Sequence, residues 1–311
     1  ADEMPAARNV RLEIGPARAG DLAPAPAVSE KIATTYTRPP ARRAVAPAPP
    51  ELPEAPEGLT LLWADLHPHS SYSKCIADLD GSPEEVLRMQ RDVLGCDVLC
   101  LTDHLDHQRA CEQVHSLDVL EREAAGRAPV IYGVEPRSPL AHNVNYYAID
   151  REQMDRFREL IYCCGDEVQR NHRLRNEFAP GSVVPMRHMH GKAGGTFGID
   201  RPRTVELHDG DLEWAMEAMQ TRGDFMAPLH RWNYTGPTFP NHFLSAGAQV
   251  ALVGGSDHSR GVGPNHFCLT GLWVAERSAR GAWNAIRERR TLAMSNGKVS
   301  LWVSCDGATM G

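Results

Sequence analysis

The stretch WADLHPHSSYSKC (63–75) places two histidines, His67 and His69, where an apolar run stops, with serines, a lysine and a cysteine directly after them. In extended backbone, residues i and i+2 point to the same side, so these two imidazoles can chelate one ion together. The same event recurs along the chain. Asp103 and His104 follow VLCLT, Glu135 follows VIYGV, His142 opens HNVNYYAI, His188 and His190 follow VVPM, His208 and Asp209 follow VEL, and Asp257 and His258 follow ALVGGS. Each alone is a common accident. Together they are a set of metal-binding side chains at strand ends.

Helix-like segments separate these runs. SPEEVLRMQRDVL has Ser82 as N-cap and Glu85 three residues on, the capping-box pattern. ACEQVHSLDVLEREAAG reads as a second helix, and residues 151–178 as a helical region broken near Gly165. LEWAMEAMQTRG carries Trp214 and its methionines at helical spacing, which predicts a core-packing helix. SARGAWNAIRERR is the last helix, and TLAMSN and VSLWVSCDG are closing β segments. Alternation of this kind implies a parallel sheet, open or closed into a barrel. A barrel gathers functional groups at the C-terminal ends of its strands. Several buried imidazoles and carboxylates meeting there are costly unless cations coordinate them, and mixed nitrogen and oxygen ligation suits Zn²⁺, Mn²⁺ or Fe²⁺. Gly254 and Gly255 read as places of close strand-end packing rather than a phosphate cradle, because no P-loop pattern follows.

Composition agrees with a globular chain. The 311 residues are 42% hydrophobic, enough for one large core or two ordinary ones, and no apolar run is long enough for a membrane span. Fourteen histidines are an excess that again points to metal. A net charge of −7 argues against a nucleic-acid partner and against a nuclease. The expected partner is a small-molecule substrate, with no membrane and an open oligomeric state. Eight cysteines without a CxxC pair suggest reduced thiols and a cytoplasmic location. Export after removal of a leader is the reading left open, since the first residue is Ala1. Residues 1–58 are rich in Pro and Ala and read as an extended arm, with one short strand at NVRLEI (9–14). The main domain then spans 59–290 and a β segment 291–311.

The order DLHPHSSYS, LTDH, GVE, HNVNYYAI, GGSDH resembles the motifs of the PHP (polymerase and histidinol phosphatase) metallohydrolases, over about residues 60–290. The closing AIRERRTLAMSNGKVSLWVSCDGATMG is similar to the tail of their carbaryl-hydrolase-like branch. The resemblance implies an α/β fold, a distorted (β/α)7 TIM-like barrel, and hydrolysis by metal-activated water. The bond is a phosphoester in most of the family and a carboxylic or carbamic ester or amide in the nearer branch. It implies that His67, His69 and Asp257 hold one metal, that Glu135 bridges to a second, and that His142 holds the second together with His188 or His190. His188 is favoured because it sits nearer the strand end, and the other histidine then faces substrate. The family's third metal set is depleted: Lys74 and Cys75, His104, and Ser259 stand at its places, and His258 is adjacent to Asp257 rather than one residue removed. Two divalent metals are therefore expected rather than three. The Lys74 ammonium is expected either as a solvated loop group or in place of the missing cation. His104 or Lys74 is expected to protonate the leaving group or to hold the substrate anion; Arg187, His230 and Arg231 are candidates to line the substrate pocket, with structural or surface arginines and an ordinary buried histidine as the alternative readings. A non-catalytic barrel serving as a binding module or scaffold is the alternative.

Overall fold

The computed structural model describes residues 8–14, 56, 58–74, 81–136, 144–164, 167–188, 209–221, 223, 224, 226, 240–257, 268–295, 297–306 and 308–311, with only the backbone of 8–14, 167, 223, 224 and 242. β1 is Arg8–Ile14 and β2 is Thr60–Ala64. α1 (Pro83–Arg88) starts on the predicted capping box: Ser82 N donates to Glu85 Oε2 at 2.8 Å, and Glu85 N donates to Ser82 Oγ at 3.3 Å. Then come β3 (Leu99–Leu101), α2 (Ala110–Ala124), β4 (Val130–Val134) and β5 (Val144–Ala148). The helical region beyond is α3 (Arg151–Ile161) and α4 (Glu167–Glu177). β6 (Val184–Arg187), β7 (Ala215–Gln220), β8 (Gly223–Asp224), α5 (Pro240–Ser245) and β9 (Ala251–Gly254) follow. The chain ends with β10 (Cys268–Val274), α6 (Ala279–Arg287), β11 (Thr291–Ser295), β12 (Val299–Cys305) and β13 (Ala308–Thr309).

One sheet runs β3-β4-β5-β6-β7-β8, with β9 also on β7, and curls. A second has the order β11-β10-β2. The two meet along both margins. On one side Val98 N donates to Trp63 O, with a bridge between Ala64 and Val98. On the other, the Thr270 hydroxyl of β10 donates to Gly254 O at 2.7 Å and accepts from Gly254 N at 3.0 Å, and Thr291 Oγ1 donates to Leu252 O at 2.9 Å. The strands bury both faces, which is why they read as near-continuous apolar runs. Leu99, Leu101, Val134 and Tyr146 pack with Leu117 and Phe157 of α2 and α3, while their sequence neighbours Val98, Cys100 and Tyr147 pack with Leu62, Met186, Val253 and Trp283.

The expected all-parallel pattern does not hold. β3–β4, β6–β7 and β7–β9 are parallel, but β4–β5, β5–β6 and β7–β8 are antiparallel. The connection over residues 135–143 is too short for a crossover helix, so β5 returns beside β4 in the opposite sense. Among the described residues the strands do not confirm a seven-fold βα count. LEWAMEAM is a strand rather than a helix. Its Ala, Met, Glu and Gln are strong helix formers, but pairing with β6 and β9 and burial of nearly every residue outweigh that preference. β10 was passed over in the sequence, although it is central to its sheet. The closing β segment divides: β11 pairs with β10, whereas β12 pairs in parallel with β1 of the arm and antiparallel with β13.

Thr270 is fully buried and ties the two sheets. Thr270→Val keeps its shape and leaves the Gly254 amide and carbonyl without that partner, so denaturant unfolding should show a loss of about 2–3 kcal/mol. A change below about 0.5 kcal/mol, the size of an ordinary surface substitution, would show that this margin does not hold the sheets together.

Candidate metal centre

The His67–His69 segment is clamped between two strand ends. Thr102, just past β3, donates from N and Oγ1 to Pro68 O at 3.0 and 2.9 Å. Beyond β9, Asp257 N and Ser256 Oγ donate to His67 O at 2.6 and 3.2 Å. Asp65 Oδ1 accepts from both His67 N and Ser256 N at 3.0 Å. Gly255 must be glycine here: a Cβ would lie 2.4 Å from His67 Cβ and 2.6 Å from Glu217 Oε1. Asp257 adopts a left-handed φ of 54°, a sparsely populated region for residues other than glycine, and its carboxylate meets the histidines.

Four donor groups converge. His67 Nε2 lies 3.2 Å from His69 Nε2, 3.3 Å from Glu135 Oε2 and 3.5 Å from Asp257 Oδ1. His69 Nε2 is 2.9 Å from Glu135 Oε2 and 3.3 Å from Asp257 Oδ1. All four residues are almost wholly buried. The other ring nitrogens are engaged behind them, His67 Nδ1 on Glu217 Oε1 at 2.9 Å and His69 Nδ1 on Ser73 Oγ at 2.7 Å. His188, at the end of β6, brings Nε2 to 2.9 Å from Glu135 Oε1, close enough for an ion pair but outside hydrogen-bond geometry. Neither nitrogen of this fully buried ring has a hydrogen-bond partner. His67, His188 and Glu217 form a second group able to share an ion.

Charge follows the same geometry. Burial disfavours a charged His67, but Glu217 and Asp257, with a hydrogen bond to Glu135, outweigh it and hold its pKa well above the usual histidine value. Burial likewise opposes charge on His69, while hydrogen bonds to Asp257 and Glu135 carry it to about 9. Glu135 is held well below the ordinary carboxylate range, because His104 and His188 more than offset its burial. The cluster thus attracts positive charge. The orphaned His188 nitrogens, the unbonded Glu135 Oε1 and the imidazole-carboxylate donor set fit a divalent cation.

Other expected residues take varied places. His104 stacks on His69, with ring centroids 4.8 Å apart, and its Nδ1 lies 3.2 Å from Glu135 O. Lys74 is turned to the rim. Its ammonium donates to His107 O at 2.7 Å and pairs with Glu112 at 2.8 Å, with 44% of the side chain exposed, so its contacts are not those of a stand-in cation. Arg187 is fully buried, and its Nε and Nη2 donate to Glu213, which commits them to a neighbour rather than to substrate. Asp209 pairs with Arg175. Cys75, His142, His190, His208, His230, Arg231, His258 and Ser259 lie outside the described residues. Glu217 was missed because it sits inside the segment read as a helix. Its signal was an acidic residue in an otherwise apolar run.

The curled sheet with a buried histidine-carboxylate cluster at its strand ends is consistent with a PHP-type fold. No protein-family model matches the chain, and no curated protein matches it. Among solved structures it is similar to a two-domain protein containing a predicted PHP-like metal-dependent phosphoesterase from Bacteroides vulgatus, with 18% identity and a TM-score of 0.51 over 77% of this chain and 66% of that one. It is also similar to PsfC from Pseudomonas syringae, at 18% identity and TM-score 0.49 over 76% and 92% of the two chains. A third is endonuclease Q in complex with a 27-mer duplex substrate carrying an abasic lesion, at 14% identity and TM-score 0.49 over 73% and 57%. The first likeness speaks for the fold. The carbaryl-hydrolase-like branch is not among these neighbours. The expectation of no nucleic-acid partner is corrected here: endonuclease Q is seen with DNA, and an acidic net charge does not exclude such a partner.

Two outcomes follow. In metal-free protein the raised histidines add stability in full below the unfolded value of 6.5, and that contribution is lost as pH rises through about 9 for His69. The thermal midpoint of chelator-treated protein should therefore fall across that interval, and metal-loaded protein should lose less. A midpoint that climbs would contradict the charge assignment. Glu217→Gln removes the carboxylate behind His67 and should weaken zinc binding by about 10–100-fold in equilibrium dialysis, with far-ultraviolet dichroism unchanged. Unaltered affinity would remove Glu217 from the site.

Proposed function

We propose that this chain is a metal-dependent phosphoester hydrolase of the PHP superfamily. The observation that carries the reading is the convergence of His67, His69, Glu135 and Asp257 in a buried site, with the two histidine nitrogens 2.9–3.5 Å from each other and from the carboxylate oxygens. These four are assigned to one cation. His188, with the second oxygen of Glu135 and with Glu217 near it, is assigned to another, and His142 remains its expected companion. The donor chemistry suits zinc, manganese or iron. When bound, such cations acidify a water to a pKa of about 7 and offset charge developing on the attacked phosphorus.

The chain's own residues then have distinct tasks. Glu135 would offer one oxygen to each position, and its carboxylate stays ionised beside His104 and His188. Asp257 and Glu217 hold the His67 ring from opposite sides. His104, stacked on His69, is the group placed to give a proton to the leaving oxygen. The carboxylic ester, amide and carbamate chemistry suggested by the tail has no support from the fold neighbours.

Protein purified without chelator should carry a stoichiometric transition metal and release nitrophenolate from nitrophenyl phosphate or bis(nitrophenyl) phosphate. An abasic DNA duplex and an aryl carbamate complete the panel. Chelation should abolish turnover, and Glu135→Gln should lower it on the order of 10²–10³-fold. Activity surviving exhaustive chelation, or turnover of the carbamate alone, would refute a metal-dependent phosphoesterase. Bound metal with no turnover of any of these substrates would favour the scaffold.

A further inference from the structure

A set of buried hydrogen bonds behind His69 leaves little freedom in where its protons sit. Asp103 Oδ1 accepts from Ser70 N at 2.6 Å and from Ser73 Oγ at 2.7 Å. Its Oδ2 accepts from Ser70 Oγ at 2.7 Å, and Ser70 Oγ in turn accepts from Tyr72 N at 3.2 Å. Both carboxylate oxygens therefore receive donors. Ser73 Oγ also accepts from His104 N at 3.0 Å and lies 2.7 Å from His69 Nδ1. Ser70, Ser73 and His69 are fully buried, and Asp103 is nearly so.

A serine hydroxyl has one proton to give and two lone pairs to receive with. Ser73 gives its proton to Asp103, because that carboxylate is the acceptor it faces, and receives from the His104 amide. Its remaining lone pair can only accept, so the His69 nitrogen facing it must carry a hydrogen. We propose that Ser73, anchored by Asp103, is a positioning residue that fixes His69 as its Nδ1–H tautomer and so presents the Nε2 lone pair to the metal position. The role rests on the metal-centre reading above for its purpose, but not for its geometry. The two chelating rings are thereby oriented by different means. His67 leans directly on the Glu217 carboxylate, whereas a neutral hydroxyl stands between His69 and its acid.

The probe is zinc alone, with its dissociation constant read by chelator competition. Ser73→Ala should bind zinc about 10–100-fold more weakly, with the thermal midpoint of the metal-free form also lowered because three buried groups lose their partner, and Ser73→Thr should recover most of both losses. In nitrogen-15 spectra of metal-free protein, taken above the His69 value of about 9, the wild-type ring should be the Nδ1–H tautomer and the alanine variant a mixture. Wild-type zinc affinity in Ser73→Ala, no advantage of threonine over alanine, or an Nε2–H ring in the wild type would overturn the assignment. If Ser73→Ala fails to fold, the wild-type spectrum decides by itself. Should wild-type protein take up no zinc, the metal-centre reading fails while that spectrum still judges Ser73.

Discussion

The nitrogens of two imidazoles face each other at 3.2 Å with two carboxylate oxygens beside them. Four electron-rich atoms so close and so dry repel unless protons or a cation sit among them. Much of the rest of the molecule serves to enforce that arrangement. The backbone of His67–His69 is held from the β3 side by Thr102 and from the β9 side by Ser256 and Asp257. Gly255 lets the β9 end approach His67 and Glu217, and Asp257 adopts a left-handed backbone that brings its carboxylate to the histidines. Strain and close approach gather where the donor groups converge.

The supporting layer is as specific as the cluster. Glu217, Ser73 and Asp103 touch no expected ion directly in the first group, yet they decide which nitrogen of each ring looks inward. Tyr147 of β5 donates to Leu66 O at 2.5 Å and is itself bonded by Asn145, which ties the far side of the curled sheet to the start of the histidine segment. Buried Arg187 locks on Glu213 one residue before His188, which steadies the strand end from which that ring projects.

Division of labour is visible between cluster and rim. Imidazoles and carboxylates occupy the dry interior, while Lys74, Glu112 and the His107 carbonyl form an exposed, solvent-screened contact outside it. Cations such as lysine are poor occupants of the interior because a single ammonium cannot satisfy four lone-pair donors at once. The same reasoning separates the buried guanidinium of Arg187 from a substrate-gripping role: its planar fork already matches a carboxylate.

What the sequence determined by itself was local. Two histidines at i and i+2 in extended backbone share a side, a serine with glutamate three residues on reads as a helix cap, and apolar runs ending in histidine or carboxylate read as strand ends. Those consequences depend on near neighbours alone, and they are present in β2, α1, β3, β4, β6 and β9. Only the tertiary structure decided that LEWAMEAM is a strand, because its helix-forming residues are overruled by hydrogen bonds to β6 and β9, and with that decision Glu217 entered the site. It also turned β5 back against β4, and it drew Lys74 to Glu112 and Arg187 to Glu213. Each of these depends on a partner distant in the chain, and no periodicity records which partner a side chain will meet.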